Sequence, residues 1–226
     1  MRINKLLSNY GYCSRKGTSG LIEDGRIKVN GSMCMPGQWV EEEDIILLDD
    51  EPVAPKERIY LALNKPTGIT CTADKTVKGN IIDFMGCSEF VFPVGRLDKE
   101  SQGLILMTND GGLANRILES ENGHEKEYLV TVDREFDDSF IKGMSGGVDI
   151  LGVRTRSCSV SRVRADTFCI ILTQGLNRQI RRMCRAFGYT VVRLERTRIL
   201  NIRLEGIGSG QWRSLTQLEI DGLRNC

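Results

Sequence analysis

The sequence predicts an α+β protein in two parts, a small helix–helix–strand unit followed by a larger mixed domain, and three observations carry that prediction. Over the first fifty residues the apolar spacing changes from a helical period to strand-like alternation around the turn Asn30-Gly31. Pro52-Val53-Ala54-Pro55-Lys56-Glu57-Arg58 then reads as a semi-rigid linker. From Ile59 onward, short alternating or fully apolar runs are interleaved with short amphipathic stretches. The chain of 226 residues therefore divides into residues 1–51, a linker at 52–58, and residues 59–226.

In the first unit, Ile3, Leu6, Leu7 and Tyr10 fall on one helical face, and Gly11 can end that helix. Ser14 is placed to cap a second helix that reaches Leu21 and Ile22 and closes at Gly25. Gly17 and Gly20 weaken that helix, since each glycine costs about 1 kcal/mol against alanine. Ile27 and Val29 alternate as a strand, and Ile45 to Leu48 forms another. In the larger part, Tyr60 to Leu63 is a strand ended by the turn Pro66-Thr67-Gly68. Gly103 to Thr108 is an almost unbroken apolar run, which suits a buried central strand. Leu113 to Leu118 is a short helix opening after Asp110, and Lys126 to Val132 alternates with Tyr128, Val130 and Val132 on one face. Phe168 to Thr173 and Val191 to Leu194 are further strands, and Thr216-Gln217-Leu218-Glu219 opens a last helix as a capping box.

Composition narrows the chemistry. One histidine argues against a Ser-His-Asp hydrolase or a multi-histidine metal site. The eight cysteines include no C-x-x-C pair, so scattered thiols of a reducing, cytoplasmic protein are expected. No apolar run approaches the length that spans a bilayer and no signal peptide opens the chain, so no membrane partner is expected. Nothing in the sequence demands more than a monomer. The formal net charge is only +1, but its distribution is uneven. Residues 1–31 carry six basic side chains against two acidic, and residues 174–203 carry eight arginines against Glu195 alone. Residues 32–58 hold two basic and eight acidic side chains. Two cationic islands in an acidic background steer a polyanion better than the total suggests.

Three stretches carry candidate chemistry. In Gly95 to Gly111, GRLDKESQGLILMTNDG, Asp98 lies in a loop before the apolar strand, at the mouth of a cleft. In Gln174 to Gly188, QGLNRQIRRMCRAFG, one helical face gathers Ile180, Met183, Cys184 and Phe187, and the other gathers Arg178, Arg182 and Arg185. Arg181 sits at the border, where it can turn inward to a carboxylate while the other arginines form a stripe for phosphates. In Lys126 to Val130, Tyr128 occupies the inner face of its strand. The run Gly206 to Gly210 lacks the order and the following acid of a dinucleotide fingerprint, so a nucleotide-dependent enzyme is disfavoured.

These motifs resemble a known family. RINKLLSNYGYCSRKGTSGLIEDGRIKVNG resembles the S-four-type RNA-binding domain, although Gly17-Thr18-Ser19-Gly20 departs from its helix-forming pattern. GRLDKESQGLILMTNDG, EKEYLVTV and LTQGLNRQIRRMCRAFGYTVVRLERTRI, in that order, resemble bacterial pseudouridine synthases of the small-subunit type. HEKEYLVTV, LERTRI and GQWRSLT point more narrowly to the F type of the 23S rRNA enzymes. The resemblance implies a mixed, mainly antiparallel catalytic sheet with flanking helices, and a reaction without cofactor or metal. It implies that Asp98 is the catalytic aspartate, Arg181 its partner and Tyr128 the residue that stacks on the uracil. It also implies that Arg96 fills the gap left by a flipped-out base, while Arg15, Lys16, Arg26, Lys28, Asn177, Arg178, Gln179, Arg182 and Arg185 are expected to meet RNA. The partner so implied is 23S rRNA, with tRNA as a secondary substrate. A non-catalytic RNA-binding protein would lack one of the aspartate, tyrosine or arginine, and this chain keeps all three.

Overall fold

The structure, a computed structural model, describes residues 1–74, 76–119 and 123–226. The N-terminal unit opens with α1 (Ile3–Asn9) and α2 (Gly17–Glu23). Helix α2 forms in spite of Gly17 and Gly20. Ser14 Oγ accepts the Gly17 amide at 2.9 Å and the Ser14 carbonyl accepts the Thr18 amide at 3.1 Å, so its first turn is anchored. Strands β1 (Ile27–Val29), β2 (Ser32–Met33), β3 (Ile46–Leu48) and β4 (Glu51–Pro52) make an antiparallel sheet in the order β2-β1-β3-β4. Asn30 and Gly31, with φ of 50° and 78°, form the primed turn between β1 and β2 that the dipeptide predicts. A second such turn, Asp49-Asp50, joins β3 to β4. Pro52 pairs with Leu47, so the sheet extends one residue into the segment read as linker. Ile3, Leu7, Ile27 and Val40 close the core of this unit.

The linker seats the small unit against the large one. The Arg58 guanidinium donates to the carbonyls of Asn9 at 2.6 Å and Asn109 at 3.3 Å, and Asn109 Nδ2 donates to the Glu57 carbonyl at 2.8 Å.

The large part comprises β5 (Tyr60–Lys65), α3 (Ile81–Met85), β6 (Phe92–Val94), β7 (Gln102–Thr108), α4 (Gly111–Leu118), β8 (Lys126–Val132) and α5 (Asp138–Ser145). It continues through β9 (Asp149–Ile150), β10 (Val153–Arg154), β11 (Ser159–Arg162), β12 (Thr167–Leu172), α6 (Gln179–Ala186), β13 (Val191–Ile199), β14 (Ile202–Arg203), β15 (Trp212–Ser214) and α7 (Gln217–Arg224). The main sheet runs β11-β12-β8-β13-β7-β5-β15, with β6 beside β7 and β14 beside β13. Its pairings are antiparallel except β13 with β7, which makes it the mixed, mainly antiparallel sheet expected. Helix α7 opens on the capping box, with Thr216 and Glu219 exchanging both bonds.

The parallel junction explains one residue of the GRLDKESQGL stretch. Gly103 pairs with Arg196 at φ of 105°, and a Cβ there would sit 2.4 Å from the Arg196 carbonyl oxygen. Only glycine allows β7 and β13 to meet so closely. That contact draws the Asp98 loop, which precedes β7, towards helix α6, which precedes β13. Helices α5 and α6 cover one end of the sheet through Phe140, Met144, Ile180, Met183 and Cys184. Helices α4 and α7 cover the other through Leu113, Ile117 and Leu223.

Candidate active site

Asp98 sits in the loop between β6 and β7, and its conformation is set by neighbours on both sides. The Ser101 amide donates to the Asp98 carbonyl at 3.0 Å, closing a turn at the end of the loop. The Gly68 amide donates to the Lys99 carbonyl at 2.8 Å, and the Leu97 amide donates to Cys71 Sγ at 3.4 Å. The segment from Pro66 to Cys71 therefore brackets the aspartate. Beneath it the fully buried Lys65 donates through Nζ to the carbonyls of Pro66 and Ile69, at 2.7 and 3.0 Å. Burial pushes the Lys65 ammonium below its ordinary pKa, and the Asp98 carboxylate acts in the opposite direction. The sequence reading missed Lys65, because a lysine ending a strand reads as an exposed terminus.

Helix α6 brings Arg181 to the same place. Its Nη1 donates to the Val191 carbonyl and its Nη2 to Ser101 Oγ, both at 3.2 Å. Its Nε lies 3.8 Å from Asp98 Oδ2 and is buried without a hydrogen-bond partner among the described residues. The fork is thus held by two acceptors with its third edge turned to the carboxylate. Such contacts commonly tighten when substrate closes a site. Ser101, itself buried, was another omission. Arg178 Nη1 reaches the same Asp98 Oδ2, at 3.7 Å, while pairing with Glu100 at 2.9 Å. That bond raises the Arg178 guanidinium and lowers the Glu100 carboxyl from their ordinary pKa values.

A pocket of about 100 Å³ opens over these groups. Arg96, Asp98, Tyr128, Arg178 and Arg181 all line it, so side chains from three separate stretches of sequence meet there. Tyr128 is half-buried and packs between two apolar clusters, with its strand-mates Val130 and Val132 buried. Arg96 is exposed at the rim.

The expected RNA contacts differ in how they are engaged within the protein. Gln179 is buried at the floor of the pocket, where its Oε1 accepts the Leu176 amide at 3.0 Å and its Nε2 lies against Met183 Sδ at 3.8 Å, so it also holds the turn before α6. Asn177 accepts from Arg182 through both its carbonyl (3.0 Å) and its Oδ1 (3.3 Å), so it orients an arginine. Arg26 is engaged in a two-pronged pair with Asp49, at 2.7 and 2.6 Å, and Lys28 pairs with Asp50 at 2.6 Å. Neither projects as a free cation. Arg15 and Lys16 are exposed and have no ion pair among the described residues. Among the described residues no helix is long and apolar enough to cross a membrane.

Comparison with known proteins meets this geometry from another direction. Residues 59–186 match the family model described as RNA pseudouridylate synthase, and residues 1–46 match the S4 domain. The chain is 49% identical to the dual-specificity RNA pseudouridine synthase RluF of Escherichia coli (strain K12), covering 97% of this chain and 77% of that protein. It is 32% identical to the ribosomal large subunit pseudouridine synthase B of Bacillus subtilis, covering 99% and 95% respectively. A crystal structure of a pseudouridylate synthase superposes with a TM-score of 0.73 at 28% identity and covers 99% of both chains. The aspartate loop, the arginine helix and the tyrosine strand converge within a fold shared with these enzymes. The chain belongs to the RNA pseudouridylate synthase family, with an S4 domain ahead of the catalytic domain, and its reaction is the isomerisation of uridine in RNA.

Proposed function

We propose that this synthase modifies a uridine in a 23S rRNA stem-loop, with a tRNA uridine as a second target, and that Asp98, Arg181 and Tyr128 do the chemistry. Residues 1–51 serve as the RNA-binding module and residues 59–226 as the catalytic domain. The dual-specificity relatives support two RNA substrates, and the large-subunit relative supports rRNA as the main one. The observation that carries the catalytic assignment is the ion pair of Asp98 with Arg181 beside Tyr128 in one small pocket.

The reaction breaks the bond from ribose C1′ to uracil N1, turns the base and joins C1′ to C5, after which the C5 proton leaves. A carboxylate beside the sugar can start this by attacking C1′ or by removing the 2′ proton, and we assign that role to Asp98. Charge must be held close to a cation when water is excluded by the bound base, and Arg181 supplies it without being able to lose its own proton. Tyr128 offers a ring to stack on the freed uracil and a phenol to exchange protons with it. A paired uridine must first leave its stem, at a cost of roughly a few kcal/mol. Arg96, exposed at the rim, can occupy the space it vacates.

The test is tritium release from RNA carrying 5-tritiated uridine. Wild-type enzyme should release tritium and Asp98→Asn should release none while still binding RNA. Release by Asp98→Asn at the wild-type rate would remove the aspartate from the mechanism. Pseudouridine mapping of total RNA with and without the gene names the uridine; loss of a site in 23S rRNA is expected.

A further inference from the structure

The arginine face of α6 lines one side of a cavity of about 800 Å³ that adjoins the catalytic pocket. The opposite side is the tip of the β9–β10 hairpin, where Leu151 and Gly152 form the turn at φ of 53° and 75°. A left-handed conformation is natural for glycine or asparagine and strained for leucine. The chain uses Asn-Gly for the same kind of turn at Asn30-Gly31, so the favoured solution is within its repertoire. Leu200 shares the conformation, at φ of 52°, but is half-buried against the core packed by α4 and α7. Leu151 has no such compensation: it is 54% exposed. Strain kept at an exposed apolar residue calls for a role outside the protein's own packing.

The hairpin is held firmly enough to present that residue. At its base the Val148 amide donates to Thr155 Oγ1 at 2.9 Å and the Thr155 amide to the Val148 carbonyl at 3.0 Å, with Thr155 buried. Ile150 is buried in the same core as Ile180 and Cys184 of α6. One helix therefore supports the hairpin on its apolar face and borders the cavity with its cationic face. The arginines bordering it are Arg178, Arg181, Arg182 and Arg185, and its one acid, Asp149, is paired with Arg154 at 3.2 Å. This charge balance selects a polyanion, and the apolar tip selects one with flat, weakly polar surfaces between its charges. A nucleic-acid strand has that alternation.

We infer that Leu151 is an RNA-contacting residue: the β9–β10 tip packs against the riboses or bases of the strand whose phosphates the α6 arginines hold. This rests on the proposal that the α6 face meets substrate RNA.

Leu151→Asn separates the two roles, because asparagine accepts the turn conformation while removing the apolar surface. Its Tm should equal or exceed that of the wild type. On a stem-loop RNA that the wild-type enzyme modifies, kcat should be unchanged and KM should rise about fivefold, the equivalent of re-exposing roughly half a leucine side chain. The salt dependence of binding should be unaltered, since no phosphate contact is lost. An unchanged KM would overturn the inference, and so would a lower Tm, which would mean that Leu151 packs on the protein. Arg185→Ala in the same assay keeps the failures apart. If it weakens binding and Leu151→Asn does not, only the hairpin contact is wrong. If neither weakens binding, the α6 face is not the RNA site, and the inference falls with it.

Discussion

The two cationic islands of this chain look alike in sequence and differ in the folded protein. In the N-terminal island, Arg26 and Lys28 lie on or beside β1 and meet Asp49 and Asp50, which the β3–β4 turn brings alongside. In the C-terminal island, α6 projects Arg182 and Arg185 into a groove and directs Arg178 and Arg181 towards Asp98. The difference is one of supply. The acids that neutralise the first island come from the hairpin whose first strand pairs with β1, whereas the acids that Arg178 and Arg181 reach are the site's own Asp98 and Glu100. Charge counted along the chain therefore locates basic segments without saying whether their charge is spent internally or offered to RNA.

The strongest way to break this comparison is at the residue where the second island meets the chemistry. Arg181→Ala removes two hydrogen bonds and the cation facing Asp98. Activity should fall at least about a hundredfold, the scale of losing one preorganised electrostatic group in an active site. Stability should fall by about 1–3 kcal/mol. The loss stays below that of breaking a fully buried pair because Asp98 is 31% exposed and water can reach it once the arginine is gone. Arg181→Lys keeps the charge and loses the fork, so it should recover stability better than rate. Urea melts beside tritium release read both quantities, and an Arg181→Ala enzyme with ordinary turnover would dissolve the pairing with Asp98.

The next effect in size belongs to the groove. Arg182→Ala and Arg185→Ala should each weaken RNA binding and lower the slope of log affinity against log salt by about 0.7–0.9, one phosphate contact apiece. Turnover at saturating RNA should hold. Arg182 is preoriented by Asn177, so Asn177→Ala should weaken binding less than Arg182→Ala and leave the salt slope alone. A pair of slopes identical to wild type would show that the stripe is merely solvated.

What could be read in advance was what local physics decides. The capping box at Thr216 and Glu219, the turn at Asn30-Gly31 and the alternation of Lys126 to Val132 each depend on neighbours in sequence, and the structure realises all three. Helix α5 was missed because Gly143 and the Gly146-Gly147 pair interrupt its pattern, although Asp137 caps it. Strand β13 continues past Leu194 through Arg196, which no apolar rule would bury; its Nε donates to the Leu104 carbonyl at 2.7 Å inside the sheet. Strand β15 exists because Trp212 pairs with Leu63, a partner that only the tertiary fold supplies. At the site, the identity of Asp98, Tyr128 and Arg181 came from motif resemblance. The buried partners Ser101 and Lys65, and the internal use of Gln179, needed coordinates, since nothing in residue type says which way a polar side chain turns.

The smallest effect tests the other island. Asp49→Asn with Asp50→Asn removes both hairpin partners and leaves Arg26 and Lys28 on the surface with their charge unspent. Exposed pairs of this kind contribute little to stability, so the melting curve should barely move. The Arg26 guanidinium holds the Asp49 carboxyl below its ordinary pKa, so the pair's contribution is present above the usual carboxylate range and lost as pH falls through the lowered value. The wild-type pair consequently stays closed across neutral and mildly acidic assays. If β1 borders the bound RNA, the freed cations should raise affinity and steepen the salt slope by up to about 0.7–0.9 for each phosphate they reach. If the slope is unchanged, that part of the N-terminal sheet points away from RNA, and the exposed Arg15 and Lys16 of the turn into α2 are left as the contacts of that island.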